Sequence, residues 1–541
     1  MTRWRTGIVV LLVVVTALLA VTPGAVRSLW PPLVALVVIV LTRRALIGLL
    51  VGAYAGAVLL AGGDPWTAYL DLLRDHLAPS LASAWKMGAI LFTLILGGFA
   101  AVLDATGGFA ALLHRLAPPQ GRAARRFELA AMGLGLICFF DGLANSMLVG
   151  RVGRQLADRC GTARVKLAYI VDSTSSAVAC VAPLSTWIAF QLAMITEGYR
   201  LAGLTVNPYT AFLRSLPYNF HCWLTLIMLG AAIWWRYAPG PMAGFERAIR
   251  PSPGRAAAGP RSRGPAAALV PLLVLLVAFG AGFLILGSPR PILPLAREKL
   301  VAAVGSDVGP LVMVLAGLVA TVTAGACLPG RWSGRAGLAL PAFGRGTAAM
   351  VAPVFVLVAA WMLGSVVQAL GTADLIAHLV DRAGSPALVP LLTFLTGALV
   401  SFTTGTSWGT MGLLFPLAIP AAASVGAAES LLPATVAAVF SGAVFGDHCS
   451  PFSDTTIVTA VACEVEPHDH VRTQLPYALI TAAVSALAGF LPAGLGLAPV
   501  WSLLAGTLVI VALARGGVRW RSGRPAPSGS GARGAPPPPA S

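Results

Sequence analysis

Apolar runs of membrane-spanning length recur along the whole chain, separated by short polar segments. A helix needs ~20 apolar residues to cross a bilayer, and on that basis we count about twelve spans plus two hairpin-like segments. The pattern therefore predicts an all-α polytopic membrane protein.

Two apolar runs, 127–150 and 386–425, are interrupted by short polar stretches. Arginine clusters flank the first run on both sides, while the second has none. Because basic loops stay in the cytoplasm, we interpret 127–150 as a re-entrant hairpin from the cytoplasmic side and 386–425 as one from outside. An ordinary span is the alternative for 127–150.

Two further runs, 167–195 and 432–463, are broken by Asp, Ser and Thr. The second contains the stretch 446–456, which reads GDHCSPFSDTT, with Gly446 and Pro451 as the expected helix breakers. An ionisable residue at mid-membrane costs ~2.5–3.5 kcal/mol on insertion scales, so it indicates a functional site. Irregular backbone at that depth lines a cavity or is buried in protein. We therefore expect 446–456 to be an unwound helix centre that binds a cation.

The two halves of the chain share one order of elements, in opposite orientation: spans, a hairpin, a broken helix and another span. This order is typical of an inverted-repeat transporter. The first apolar run, 7–22, is either a retained helix, our interpretation, or a signal peptide. The predicted segments are the N-terminal helix 1–28, a first repeat 29–237 with hairpin 127–150, a cytoplasmic linker 238–265, a second repeat 266–493 with hairpin 386–425, the last helix 494–515 and a disordered cytoplasmic tail 516–541.

Composition and charge support this architecture. The chain has 541 residues, is 57% hydrophobic and only 11% charged, and carries a net charge of +17. The arginines lie in loops between apolar runs, so the positive-inside rule accounts for them better than nucleic-acid binding does. We expect a multi-pass protein of the cytoplasmic (inner) membrane with both termini in the cytoplasm. The seven cysteines are scattered and form no Cys-x-x-Cys, so we expect neither disulfides nor zinc.

The candidate chemistry consists of carboxylates among hydroxyl residues within apolar runs. Sodium favours hard oxygen ligands, and we assign Asp172, Asp447 and Asp454 as its carboxylate ligands. Ser and Thr in membrane helices also hydrogen-bond neighbouring helices, which is the alternative for each hydroxyl. The candidate ion- or substrate-binding residues are Asp141, Asn145, Asp172, Ser173, Thr174, Thr404, Thr406, Ser407, Asp447, His448, Ser450, Ser453, Asp454 and Thr455.

Desolvation favours the protonated form of a carboxyl group, so one site can hold either sodium or protons. We therefore predict no cofactor and no catalytic residue; Na+ and H+ are cargo. An intramembrane aspartate hydrolase using Asp172 and Asp454 is disfavoured by the two hairpins, and a channel by the broken helices. His448 is either a proton relay or a packed residue. His468 and His470 are expected in a cytoplasmic loop.

Three blocks of this sequence resemble the NhaC-type sodium/proton antiporter family. They are 139–151, 166–187 with its Asp172-Ser173-Thr174 motif, and a third that comprises 404–410, 446–456 and 470–477. The resemblance implies an inverted-repeat transporter with two hairpins, in which a transport unit moves against a scaffold, often in a homodimer. Family members often have a second Asp where this chain has Gly142.

These features predict a secondary transporter that exchanges Na+, or Li+, for H+. The alternative is a Na+- or H+-coupled transporter of a small organic anion, of the malate or lactate type, or of an amino acid. The lipid bilayer and a small ion or small molecule are the expected partners, without nucleic acid.

Overall fold

The computed structural model is helical. It describes residues 2–22, 24–42, 44–116, 124–249, 264–289, 297–304, 306–330, 332–372, 375, 385–425 and 428–522, and these residues contain no strand. Short 3₁₀ segments lie at Ala25–Leu29, Leu216–Tyr218 and Pro386–Leu388, and π-helical segments at Leu72–Leu77, Phe283–Gly287 and Ser485–Phe490.

The α-helices are numbered in chain order. Those before residue 250 are α1 (Thr2–Val21), α2 (Trp30–Thr42), α3 (Ala45–Leu60), α4 (Pro65–Asp71), α5 (Ala78–Ala82), α6 (Ala84–Ala105), α7 (Gly108–Leu116), α8 (Ala124–Ile137), α9 (Gly142–Cys160), α10 (Arg164–Val181), α11 (Thr186–Leu201), α12 (Pro208–Ser215), α13 (Phe220–Trp234) and α14 (Met242–Ala248). Those after it are α15 (Ala266–Gly282), α16 (Arg297–Val304), α17 (Gly309–Cys327), α18 (Trp332–Ala349), α19 (Val351–Ala369), α20 (Val389–Thr404), α21 (Ser407–Ser424), α22 (Ala428–Cys449), α23 (Asp454–Cys463), α24 (Pro467–Val484), α25 (Leu491–Gly494) and α26 (Pro499–Ser522).

Within the described residues, eight helices are long and apolar enough to cross a membrane, or up to eleven when three bent helix pairs are counted as one span each. The predicted class, an all-α polytopic membrane protein, is confirmed. The count of about twelve spans and the side from which each hairpin enters stay predictions.

One order of elements occurs twice in the chain. Helices α8 and α9 flank a break at 138–141, and α10 and α11 flank one at 182–185; helices α20 to α23 repeat this with breaks at 405–406 and 450–453. Pro183 lies in the break at 182–185 and Pro451 in the break at 450–453. Proline has no backbone N–H and a fixed φ, and both properties interrupt a helix. Gly405 ends α20 in the left-handed conformation, at φ 70°, which glycine adopts without steric cost.

The second broken run differs from the prediction at its start. We expected Gly446 to break the helix, but α22 continues through it to Cys449. The reason for glycine there is a close approach of backbones: an added Cβ would lie 2.2 Å from the carbonyl carbon of Ser401 on α20. Gly446 thus lets the C-terminal end of α20 pack closely against α22.

Helices α10 and α22, the first helices of the two longer broken runs, lie at the centre of the molecule. The apolar window within Leu431–Cys463 is 100% buried, whereas those of Ala266–Gly287 and Pro499–Gly516 are only 22% buried. Residues 165–181 of α10 are all buried as well. Exposed apolar side chains on the outer helices are what a lipid-facing surface requires. Helices α10 and α22 are shielded from lipid by the rest of the chain, whereas α20 exposes Leu392, Leu395 and Leu399.

Two predicted segments meet the structure only in part. The first portion of the predicted linker 238–265 contains α14, whose Glu246 lies 3.3 Å from the buried ammonium of Lys166; residues 250–263 lie outside the described residues. Helix α26 continues past the predicted end at 515 to Ser522. Residues 523–541 of the predicted tail lie outside the described residues.

Candidate functional site

The second helices of the four broken units, α9, α11, α21 and α23, all begin at a single cavity of about 430 Å³, and each contributes residues from its first turn. The first turns of α3 and α19 also line this cavity. Helix N-termini carry a partial positive charge and unpaired N–H groups. The polar and charged residues that line the cavity are Arg44, Asp141, Thr186, Thr404, Thr406, Ser407, Asp447, Asp454 and Thr455.

Asp141 connects two of these helices. Its Oδ1 accepts a hydrogen bond of 2.6 Å from the backbone N–H of Ala144, so it caps α9. Its Oδ2 accepts one of 2.8 Å from the hydroxyl of Thr186, the first residue of α11. The predicted tip residue is therefore a cavity carboxylate that is already bound by a helix N-terminus and a hydroxyl.

The other tip presents hydroxyls to the cavity. Thr406 caps α21 by accepting a hydrogen bond of 3.1 Å from Gly409 N. Ser407 is buried and lines the cavity, whereas Thr404 donates to the carbonyl of Val400 in its own helix at 2.7 Å. The three predicted tip residues thus share one wall of the cavity.

Asp447 is surrounded by hydroxyl groups from three elements. Its Oδ2 accepts from Ser176 of α10 at 2.9 Å, and its Oδ1 accepts from Ser453 at 2.7 Å. Its backbone carbonyl accepts from Thr455 and Thr456 at 3.0 and 3.1 Å. Only 4% of Asp447 is exposed, and that part faces the cavity. Carboxylate, hydroxyl and carbonyl oxygens thus converge at one point.

Asp454 is in a different environment. It is exposed, lies in the first turn of α23 and faces the same cavity. The positive end of the helix favours a negative charge at this position. Together with Asp141 and Asp447 it gives the cavity three carboxylates, and Arg44 is the basic residue among those lining it.

Asp172 lies behind the cavity wall, fully buried. Its Oδ2 accepts from Gln474 at 2.7 Å and lies 3.2 Å from Nε2 of His470 and 3.3 Å from the hydroxyl of Thr456. Thr456 also donates to the carbonyl of Asp447, so it connects the two aspartates. Asp172 is therefore held by side chains of α23 and α24 rather than exposed to a cargo in the cavity.

His448 and Ser173 belong to this buried layer. Nε2 of His448 lies 2.8 Å from the hydroxyl of Ser173, and Gln474 donates to the carbonyl of His448. The layer thus joins α10, α22 and α24 through side-chain contacts.

Three of the predicted ligands hydrogen-bond to backbone carbonyls in this structure. Asn145 donates to the carbonyls of Gly135 and Thr174 at 3.1 and 3.0 Å, and so braces α8, α9 and α10. Thr174 donates to the carbonyl of Ile170 in its own helix, at 2.9 Å. Ser450 donates to the carbonyl of Phe402 at 2.7 Å, joining the second broken run to α20. Ser450 thus makes the contact given above as the alternative for each hydroxyl, a hydrogen bond to a neighbouring helix.

The site's donors favour a hard cation over a transition metal. No group of three or more His, Cys, Asp and Glu side chains converges to hold a metal ion in the described part of the chain. Mixed carboxylate, hydroxyl and carbonyl oxygens are instead the ligands that alkali and alkaline-earth cations take.

Comparison with known proteins identifies the family. A family model described as the Na+/H+ antiporter family matches residues 178–494. The chain belongs to this family. The matched range contains the tip 404–407, Asp447 and Asp454, but it begins after Asp141 and Asp172.

Individual relatives extend the comparison. An uncharacterized protein of Haemophilus influenzae is 29% identical over 483 residues, covering 87% of this chain and 91% of its own length. The malate-2H(+)/Na(+)-lactate antiporter of Bacillus subtilis is 31% identical over 179 residues, 29% of this chain and 36% of that protein. The solved structure of the Alcanivorax borkumensis YdaH transporter superposes with a TM-score of 0.58 at 16% identity, covering 84% of this chain and 90% of that one. This last similarity supports a transporter fold.

Sequence reasoning missed several residues that the fold brings to these aspartates. His470 was expected in a loop, but it is buried on α24 against Asp172, because α24 already begins at Pro467. Gln474 lies one turn later on the same face, and this i, i+4 spacing after a helix-starting proline was the available signal. Ser176, Thr186 and Thr456 lay within noted polar stretches but were not selected, and Arg44 was counted only among the arginines between apolar runs.

Proposed function

We propose that this protein is a secondary antiporter that exchanges Na+, or Li+, for H+ across the cytoplasmic membrane, with Asp447 at the centre of the cation site. One observation carries the proposal. Both carboxylate oxygens and the backbone carbonyl of Asp447 accept hydroxyl hydrogen bonds, and the residue faces a cavity with two further carboxylates.

The exchange follows from the position of this carboxylate. Its hydroxyl neighbours can turn their oxygen lone pairs toward a bound cation, since a hydroxyl is both a donor and an acceptor. When the cation leaves, a proton neutralises the carboxylate, which avoids the cost of an uncompensated buried charge. Because the two occupants exclude each other, cation movement in one direction requires proton movement in the other.

A flux assay with purified protein in liposomes tests the proposal. The vesicles contain a pH dye and start acidic inside; sodium, lithium, potassium or choline is then added outside. Sodium or lithium should alkalinise the interior and choline should not. In Asp447→Asn the response should fall about tenfold or more, because a charge-assisted contact of ~1.5–3 kcal/mol is lost.

Asp75→Asn is the matched control for that substitution. Asp75 is a surface carboxylate with a side chain 55% exposed, paired only at 3.7 Å with Arg74, so its removal should leave the flux unchanged. A full sodium response in Asp447→Asn would overturn the assignment of the site.

The cavity's size supports a second candidate, coupled transport of a small organic anion. A volume of about 430 Å³ falls in the ~300–1,000 Å³ range of small-molecule sites and exceeds what a single cation occupies. Arg44, exposed on the cavity wall, supplies a guanidinium for a carboxylate. The Bacillus subtilis relative is named for malate and lactate exchange.

Labelled malate, lactate and amino acids in the same vesicles separate the two candidates. If the anion is cargo, it should accumulate with a sodium or proton gradient, and Arg44→Gln should abolish uptake. If Na+/H+ exchange is the whole function, no labelled anion should enter, and Arg44→Gln should leave the dye response to sodium intact.

A further inference from the structure

The cavity ends at an aromatic contact between α11 and α21. Trp408 of α21 lines the cavity, and its ring centroid lies 4.4 Å from that of Phe190, which is fully buried on α11. The two helices both start at the cavity and pack against each other beyond this point. The Phe190–Trp408 pair therefore closes the end of the cavity that lies between α11 and α21.

Beyond the aromatic pair the two helices pack without space for a ligand. Gly198 of α11 lies so near α21 that an added Cβ would be 2.5 Å from Ile419 Cδ1 and 3.1 Å from the carbonyl oxygen of Phe415. Residues 186–195 and 197–199 of α11 are buried, and the helix reaches solvent only near Arg200, whose side chain is 48% exposed. A cargo in the cavity cannot leave along α11 in this conformation.

An ion pair fastens this closed end to other helices. The ammonium of Lys86 on α6 lies 3.2 Å from Glu197 Oε2 on α11, with side-chain exposures of 13% and 1%. Nζ of Lys86 also lies 5.0 Å from the ring centroid of Trp361 on α19. One contact cluster thus joins α6, α11 and α19, which come from both halves of the chain.

An ion pair suits a contact that has to break and re-form. A buried pair is held together because separating the two charges inside the protein loses their attraction without restoring their hydration. Glu197 keeps Arg200 as a second partner when Lys86 moves away. Once water enters, both charges are hydrated and separation costs little. Apolar packing alone would favour the closed state in both situations, so the charged pair makes two alternative arrangements accessible.

We propose that Lys86 and Glu197 form the latch of a gate, with Phe190 and Trp408 as its seal. The latch keeps the α11–α21 end of the cavity closed in this conformation and opens when the cavity becomes accessible from that end. The inference rests on alternating access by the proposed transporter, but not on which ion or molecule it carries.

Thiol labelling tests the latch without measuring transport. The seven native cysteines are replaced, and Ala193→Cys is introduced on α11 between Phe190 and Glu197, at a position only 4% exposed. Glu197→Gln should raise the rate at which a water-soluble maleimide modifies this cysteine several-fold. Lys86→Glu should do the same, and the exchanged pair Lys86→Glu/Glu197→Lys should return the rate toward that of the parent.

Arg200→Gln is the matched control. Arg200 also contacts Glu197, at 2.6 Å, but it lies on the same helix and connects no second element. Its removal should leave the labelling rate unchanged. An unchanged rate in well-folded Glu197→Gln, or an equal rise in Arg200→Gln, would show that the ion pair is only a packing contact and would overturn the proposal.

A cross-link keeps the test decisive if Glu197→Gln does not fold. Lys86→Cys/Glu197→Cys, bridged in proteoliposomes by a short bis-methanethiosulfonate reagent, should lose flux and regain it on reduction. Parent flux in the cross-linked protein would overturn the latch. Absence of flux in the parent itself, with labelling that still follows the ion pair, would instead contradict the proposed cargo and leave the gate standing.

Discussion

The carboxylate of Asp447 owes its readiness for a cation to two serines on different elements. Ser176 comes from α10 and Ser453 from the break before α23, so the site exists only when both broken units are assembled. Each hydroxyl can donate to the empty carboxylate and accept toward a bound cation. The serines should therefore affect cation affinity more than they affect folding.

Replacing these serines gives a prediction at the residue scale. Ser176→Ala or Ser453→Ala should raise the sodium concentration for half-maximal exchange about tenfold or more, from a charge-assisted hydrogen bond of ~1.5–3 kcal/mol. Ser175→Ala is the control, because Ser175 donates to the carbonyl of Asp172 in its own helix. Equal sodium dependence in Ser175→Ala and Ser176→Ala would contradict this role.

Asp172 gives a second residue-scale prediction, in which a buried carboxyl group loses one of its hydrogen-bond partners. His470→Ala removes the imidazole 3.2 Å from Asp172 Oδ2, while Gln474 and Thr456 remain in contact with this oxygen. Removing one partner of a buried polar group costs ~1–3 kcal/mol, so the thermal unfolding midpoint of the solubilised protein should fall. His468→Ala, at an exposed position two residues earlier, should leave the midpoint unchanged; an equal loss in both variants would exclude the pairing.

Residue identity predicted the carboxylates better than their partners. Asp141, Asp447 and Asp454 stand out because a charge within an apolar run needs compensation, and they do meet at one cavity. Asn145 and Ser450 share that polar signal but brace neighbouring helices. Which role a polar residue takes depends on what packs against it, and that information lies far away in the sequence.

At the scale of elements, the breaks decide where the site forms. Each break frees the N-terminus of a helix at the cavity, and three of the four termini are capped by side chains, from Asp141, Ser185 and Thr406. A polar interruption marked each of the four breaks, but the stretch 172–176, which was also expected to break the run 167–195, lies inside the continuous helix α10. The sequence did not reveal the role of Gly446. A glycine inside a helix at a close backbone approach cannot be distinguished, from the sequence alone, from a glycine that ends a helix.

Gly446 supplies the element-scale prediction. Gly446→Ala should strongly reduce the yield of folded protein and the unfolding midpoint, since the new Cβ would be 2.2 Å from backbone of Ser401. Gly133→Ala, in α8, meets nothing within 4 Å and should be neutral or stabilising by ~0.5–1 kcal/mol. A normal midpoint for Gly446→Ala would contradict the close packing of α20 on α22.

At the scale of the whole molecule, the two halves each supply part of one site. Ser176 and Asp172 come from the first broken units, Asp447 and Asp454 from the second. The order of elements predicted this architecture from the sequence. Apolar runs and the arginine clusters between them extend over whole spans, so they can be recognised without knowing how the spans pack. The layering of the site, with Asp172 behind a wall and Asp447 facing the cavity, required the packed structure.

The central claim is that one carboxylate exchanges a proton for a sodium ion. The most direct measurement adds NaCl or choline chloride to solubilised protein in weak buffer and follows proton release with a pH dye. Sodium should release protons in the parent and in Asp75→Asn, and should release few or none in Asp447→Asn. Sodium binding without any proton release from the parent, across the pH range of the assay, would contradict the claim.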